Sequence, residues 1–247
     1  MIISVVQFRS ELGDIEANIE SHLRWIDRAA SKRADLIVFP ELSLTGYDME
    51  RANVLATPPT DERLNRLQHA SDVHQLAVGV GLPTPSDAGV RISMILLVPN
   101  QSKQIYSKQI LHADERPYVV PGTESLVFTL KNTRVAPAIC YESLQPIHAE
   151  SAHALGAEVY LASVAKSQYG IEKAQAYFPA VAKQYGMPVL LSNCIGDCDT
   201  FVGAGQTTVW NQHGIRVGQL DNKNEGMLTF DTQTRELAVE QSEEYAW

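Results

Sequence analysis

Between two short apolar runs, 2–8 and 35–39, the residues Ile15, Ile19, Leu23, Ile26 and Ala30 recur at helical spacing. Asp14 stands where an N-cap belongs. This strand–helix–strand pattern demands a sheet with a helix laid on its face. A helical pattern at 61–77 leads into a third strand at 78–82. Further strands are read at 158–162 and 189–192, and a helix at 172–186 that Pro179 must begin, kink or interrupt. Two pairs of runs read instead as hairpins. Strands 91–98 and 103–107 flank Pro99-Asn100-Gln101-Ser102, and 126–130 and 133–139 flank Lys131-Asn132. The last third is strands and turns, with runs at 207–210, 215–220 and 226–230. Repeats, low-complexity tracts and linkers are absent from the sequence, so 1–247 reads as a single domain with helix-covered sheets that are not purely parallel.

The 247 residues are 45 % hydrophobic and 20 % charged, enough for a core that needs no disulfides. A net charge of −9 without a lysine or arginine cluster argues against nucleic acid or an anionic membrane as partner. The N-terminus lacks the basic start of a signal peptide, and no run reaches the roughly 20 apolar residues of a membrane span. Three cysteines, 140, 194 and 198, form no paired framework. A reducing, cytoplasmic setting is the expectation.

Cys140 is where chemistry concentrates. The apolar run 134–139 stops abruptly at Cys140-Tyr141-Glu142-Ser143, and a helical pattern follows at 149–155. A thiol at a strand–turn–helix junction lies near backbone N–H groups that favour its anion. Lone cysteines are also common core residues, so the reading depends on company. Glu41 follows four apolar residues and a proline, with Gly46 close behind. A carboxylate at a strand end suits general base work, although a solvated turn glutamate would look the same. Lys108, in Tyr106-Ser107-Lys108-Gln109-Ile110, is either a solvent-facing strand lysine or an ammonium for developing negative charge. Glu115 is locally an ordinary loop acid. Cys194 and Cys198 lack a second pair and the histidines show no ligand spacing, so no metal site is expected. His148 and His153 are left open as partners of Cys140. Gly203 and Gly205 give only a weak phosphate-loop signal.

In order along the chain, Phe39-Pro40-Glu41-Leu42 with Thr45-Gly46-Tyr47, then Lys108, then Cys140-Tyr141-Glu142 resemble the nitrilase superfamily of carbon–nitrogen hydrolases. The resemblance covers essentially the whole chain. It implies a four-layer α-β-β-α sandwich, commonly dimeric, with a catalytic triad of Glu41, Lys108 and Cys140. It also implies Glu115 as a supporting acid, matched by Glu115-Arg116 with Tyr118 and Pro121-Gly122. Two stretches depart from the family pattern. After the cysteine, Leu144-Gln145-Pro146-Ile147 replaces an Arg-Phe-Pro-Glu run, and Ala182-Lys183-Gln184-Tyr185 replaces Ala-x-Glu-Asn. The second departure leaves the dimer contact open.

The expected activity is hydrolysis of a small non-peptide amide through a Cys140 thioester, with water as second substrate and without cofactor or metal. Tyr141 would supply a backbone N–H to the oxyanion, and loops near Tyr47, Tyr118 and Ala165 would wall the pocket. Nitrile or N-carbamoyl hydrolysis, acyl transfer to an amine, and a non-catalytic binding protein are the alternatives. Without an arginine after Cys140, and with Arg116 the nearest substitute, neutral amides or substrates with a distant carboxylate are expected over compact N-carbamoyl amino acids.

Overall fold

Strand β1 (Ile2–Gln7) pairs in parallel with β2 (Leu36–Val38), and α1 (Ile15–Ser31) makes the crossover that this pairing requires. The computed structural model describes residues 1–123 and 127–241. Asp14 caps α1 by accepting the Ala17 N–H, and the helix buries Ile15, Ile19, Trp25, Ile26 and Ala29 together with Asn18 and His22. After α2 (Ala52–Leu55), a 3-10 turn at Glu62–Leu64 precedes α3 (Asn65–His74). The expected 61–77 helix is therefore shorter, ended by Gln75 in the left-handed conformation at φ 52°. Parallel β3 (Ala77–Ser86) follows, then β4 (Gly89–Leu97) and β5 (Gln104–Ser107), both antiparallel.

The second half repeats this plan, a similarity of topology that leaves no repeat in the sequence. Lys131 and Asn132, at φ 44° and 65°, turn β6 (Phe128–Leu130) into β7 (Thr133–Ile139). Leu126, which opens the expected strand there, lies outside the described residues. Helix α4 (Pro146–Ala154) crosses over to β8 (Val159–Val164), and α5 (Gln168–Tyr185) crosses to β9 (Val189–Asn193), the three strands being parallel. Pro179 lies inside α5 rather than at a break. Ile171, Ala174 and Phe178 before it and Val181 and Ala182 after it are buried. That burial offsets the roughly 3 kcal/mol an internal proline costs.

An unanticipated hairpin, β10 (Ile195–Cys198) and β11 (Phe201–Ala204), stands apart as its own two-stranded sheet. β12 (Thr208–Trp210) and β13 (Arg216–Gln219) extend the second sheet, whereas β14 (Gly226–Asp231) and β15 (Leu237–Gln241) return to the first. The first sheet runs β15-β14-β1-β2-β3-β4-β5 and the second β13-β12-β9-β8-β7-β6.

Alternation along the strands builds the layers. Ile3, Val5, Leu36 and Val38 face Val135, Ile139, Val159 and Leu161 across the sheets. Val6, Ile37 and Val78 pack outward on Ile19, Ile26 and Leu67, and Ala138, Tyr160 and Ala162 pack on Ala149, Ile171 and Phe178. The result is the expected α-β-β-α sandwich. Two buried hydroxyls tie the sheets together near the carboxyl ends of their parallel strands. Ser163 Oγ donates to the Phe39 carbonyl at 2.8 Å and Ser192 Oγ to that of Val6 at 2.6 Å. Among the described residues, no helix is long and apolar enough to cross a membrane.

Candidate active site

The carboxyl ends of the parallel strands are where open α/β sheets place ligands, and the chemistry-bearing residues meet there. Glu41 follows β2, Lys108 follows β5, Cys140 follows β7 and Lys166 follows β8. The first two come from one sheet, the last two from the other.

Glu41 sits on a loop pressed against β3. A Cβ at Gly81 would lie 2.3 Å from the Leu42 nitrogen and 2.8 Å from the Pro40 carbonyl, so only glycine admits this approach. Ser43 Oγ accepts the Gly81 N–H at 3.2 Å and lies 3.0 Å from His22 Nε2. His22 Nδ1 is 2.6 Å from the Asn18 carbonyl. Burial pushes His22 down to about 3, against the pull of that carbonyl, so it is neutral and takes the Ser43 hydroxyl proton as acceptor.

Lys108 is fully buried. Its ammonium donates to Glu41 Oε1 at 2.8 Å and to Glu115 Oε1 at 2.5 Å. Burial opposes the charge on Lys108, but Glu41, Cys140 and Glu115 together raise its pKa. Glu115 is held in turn by the Tyr47 hydroxyl at 3.1 Å and the His112 N–H at 2.8 Å. For Glu41 burial is the largest influence and raises the carboxyl pKa; Lys108 opposes it and Glu115 adds to it. Among the described residues, the buried Glu41 Oε2 has no hydrogen-bond partner.

Cys140 adopts φ 45°, a left-handed conformation that costs a non-glycine residue about 1–2 kcal/mol. Surrounding bonds hold it there. Ser143 Oγ and Lys166 Nζ donate to the Cys140 carbonyl at 2.5 and 3.3 Å. Glu142, fully buried, accepts the Ile139 N–H at 2.8 Å and the Tyr106 hydroxyl at 2.6 Å through Oε1. Its Oε2 accepts the N–H groups of Gln109 and Ile110 at 2.7 and 3.2 Å. The thiol donates to the Ala165 carbonyl at 3.4 Å. The expected lowering of its pKa by a helix N-terminus is absent. Only a five-residue 3-10 turn, Cys140–Leu144, follows directly. Burial, then Glu41, push the thiol up to about 11 against the opposing pull of Lys166 and Lys108.

The thiol opens on a cavity of about 760 Å³. Of the residues expected in its wall, Tyr47, Tyr141 and Ala165 line it, along with Glu115. Tyr118 does not; it is 42 % exposed, and its N–H donates to the Glu115 carbonyl. Arg116 is likewise absent from the lining, and the cations present are Lys166 and Lys173. His148 bonds the hydroxyls of Tyr106 and Tyr160 at 2.7 and 2.8 Å, which takes it out of contention as a partner of Cys140. Cys194 and Cys198 are unbridged, with sulfurs 3.4 Å apart.

The family model for carbon–nitrogen hydrolases matches residues 2–239. The chain belongs to that family. It is thus a hydrolase of the nitrilase superfamily. A glutamine-dependent NAD(+) synthetase from Thermotoga maritima is 28 % identical over 240 residues, 93 % of this chain but 41 % of the synthetase. The chain therefore spans about two fifths of those synthetases. A 2-oxoglutaramate amidase from Bacillus subtilis is 26 % identical over 244 residues, covering 96 % of this chain and 92 % of the amidase. Among solved structures, the amidase from Nesterenkonia sp. AN1 superposes with a TM-score of 0.86 at 23 % identity, covering 94 % of this chain and 92 % of that one. One structure of that amidase carries acrylamide added at its active-site cysteine.

Two residues of this hydrolase went unassigned in the sequence. Glu142 falls within a matched motif but gives no sign of its task. Lys166 follows an apolar strand, and a lysine in such a place ordinarily reads as solvated.

Proposed function

We propose that this hydrolase cleaves the C–N bond of a small non-peptide amide through a thioester on Cys140. The observation that carries the reading is the buried Lys108 ammonium spanning two carboxylates, Glu41 and Glu115, beside an accessible thiol. Glu41 takes the thiol proton on its unpartnered Oε2, and Sγ attacks the carbonyl carbon. Charge on the resulting oxyanion rests on the Lys108 ammonium and the Tyr141 backbone N–H. Protonated Glu41 passes its proton to the leaving nitrogen, the C–N bond breaks, and ammonia or an amine departs. Glu41 then deprotonates a water that attacks the thioester carbonyl, freeing the acid and returning the proton to sulfur. Glu115 orients Lys108 throughout, itself held by Tyr47.

The 2-oxoglutaramate amidase relative and the reactive cysteine of the Nesterenkonia amidase support this assignment. The test is ammonia release over a panel of ω-amides, aliphatic amides, N-carbamoyl compounds and nitriles. It is joined by mass spectrometry of Cys140 after a rapid acid quench. An acyl adduct on Cys140 with an amide substrate is expected. Turnover of nitriles or N-carbamoyl compounds alone would reassign the substrate. A chain that turns over nothing and resists iodoacetamide at Cys140 would be a binding protein on this fold.

A further inference from the structure

The charges around Cys140 do not balance without a residue that the proposed mechanism leaves idle. With both carboxylates ionised, Glu41, Glu115 and Lys108 sum to one negative charge beside the thiol; moving the thiol proton to Glu41 keeps that sum and places the charge on the sulfur. Unbalanced charge in a buried site is unfavourable. Lys166 supplies the missing positive charge. It is 6 % exposed, and among the described residues no carboxylate pairs with it. Its Nζ lies 3.8 Å from Cys140 Sγ and 3.3 Å from the Cys140 carbonyl oxygen.

The position of Lys166 is built rather than incidental. Its N–H donates to Asn193 Oδ1 at 2.8 Å and its carbonyl accepts the Ala204 N–H at 2.9 Å. Gly170, in the first turn of α5, leaves space for its stem. A Cβ there would stand 3.2 Å from Lys166 Cβ and 3.3 Å from Cγ. The ammonium thus stands at the wall of the cavity, within reach of the reacting sulfur.

We propose that Lys166 is a further catalytic residue, the counter-charge to Cys140 Sγ. Its ammonium carries the sulfur's negative charge while the thiol proton sits on Glu41, and carries it again when the thioester breaks. The ammonium keeps its own proton throughout. This role rests on the nucleophilic reading of Cys140. It divides the work between two cations: Lys108 serves the oxygen and Lys166 the sulfur. Among the charged groups acting on the thiol, Glu41 and Glu115 disfavour its anion, and Lys166 and Lys108 favour it.

The experiment measures iodoacetamide alkylation of Cys140, read by mass spectrometry, against pH in the wild type, Lys166→Gln and Lys166→Arg. Glutamine keeps a donor for the Cys140 carbonyl and removes the charge; arginine keeps the charge. In Lys166→Gln the thiol pKa should rise by about one unit or more. Its alkylation at pH 8 should slow about threefold or more, since greater nucleophilicity returns part of the loss in thiolate. kcat/KM should fall at least about tenfold, and Lys166→Arg should stay near wild type in both. Lys166→Met, similar in length and apolar, serves the same comparison if the glutamine variant loses its native circular dichroism. A Lys166→Gln profile that overlays the wild type overturns the proposal. So does an arginine variant as impaired as the glutamine one, which would mean that Lys166 only props the backbone. A wild type that alkylates with the expected Lys166 dependence yet hydrolyses no amide would overturn the amidase reading and leave this one standing.

Discussion

Glu142, two residues after Cys140, accepts the backbone N–H of Gln109, one residue after Lys108, at 2.7 Å. One buried carboxylate thereby fixes the spacing between the candidate nucleophile on one sheet and the candidate oxyanion cation on the other. Among the described residues it accepts from the N–H groups of Ile139, Gln109 and Ile110 and from the Tyr106 hydroxyl. A glutamine in its place would turn an amide NH₂ toward donors that need an acceptor. Glu142→Gln is expected to cost about 2–4 kcal/mol of stability in urea unfolding. It should also lower kcat with little effect on KM. Unchanged kcat in a folded variant would mean that the two halves keep their spacing without it.

Lys108→Ala leaves Glu41 and Glu115 facing each other without a cation. kcat should fall at least about a hundredfold, the usual loss with an oxyanion donor. The urea midpoint should fall too, by the equivalent of about 3–5 kcal/mol, as when one partner of a buried ion pair is removed. Steady-state kinetics and equilibrium unfolding on the same preparation test both.

Cys140→Ala should abolish turnover while the fold persists. Cys194→Ala and Cys198→Ala should stay active, because neither sulfur lines the main cavity. An essential Cys194 or Cys198, or stoichiometric metal in the purified protein, would overturn the site assignment.

The pH dependence follows from Glu41. It must be ionised to take the thiol proton, and its pKa is raised above the ordinary 4.5, burial being the main cause. kcat/KM should therefore be lost as pH falls through a value above 4.5, with an acid limb at higher pH than an exposed glutamate would give. A profile that stays flat down to pH 4.5 would exclude Glu41 as the base.

For substrate charge, the lining offers Lys173 as a second cation, its Nζ 4.0 Å from the centre of the Tyr169 ring. Lys173→Ala should reduce kcat/KM for amides with a distant carboxylate about two- to fivefold, as suits an exposed pair. Neutral amides should be unaffected. An equal loss on both substrates would make Lys173 a structural contact.

What the sequence disclosed, it disclosed through periodicity and motif. Helix α1, its Asp14 cap and the Lys131-Asn132 turn follow from local rules alone. The pairing of two sheets does not, because every inward residue of β8 and β9 reads as generic buried strand. The place of Lys166 is not legible locally, because it depends on Asn193, which the crossover of α5 brings to it, and on Cys140, which comes from a neighbouring strand end. The β10–β11 hairpin escaped because Gly196, Asp197 and Asp199 break its apolar pattern. Pro179 neither begins nor interrupts α5, because burial on both sides of it holds the helix continuous.

The serine hydroxyls that join the two sheets have a consequence for how this enzyme fails. Glu41 and Lys108 travel with one sheet, Cys140 and Lys166 with the other, and Ser163 and Ser192 are stitches along that seam. Any stress that lets the sheets slide by an ångström separates acid from sulfur while every helix and strand survives. Heat or mild denaturant should thus silence the enzyme before its circular dichroism changes, making catalysis a gauge of how tightly the two halves are docked.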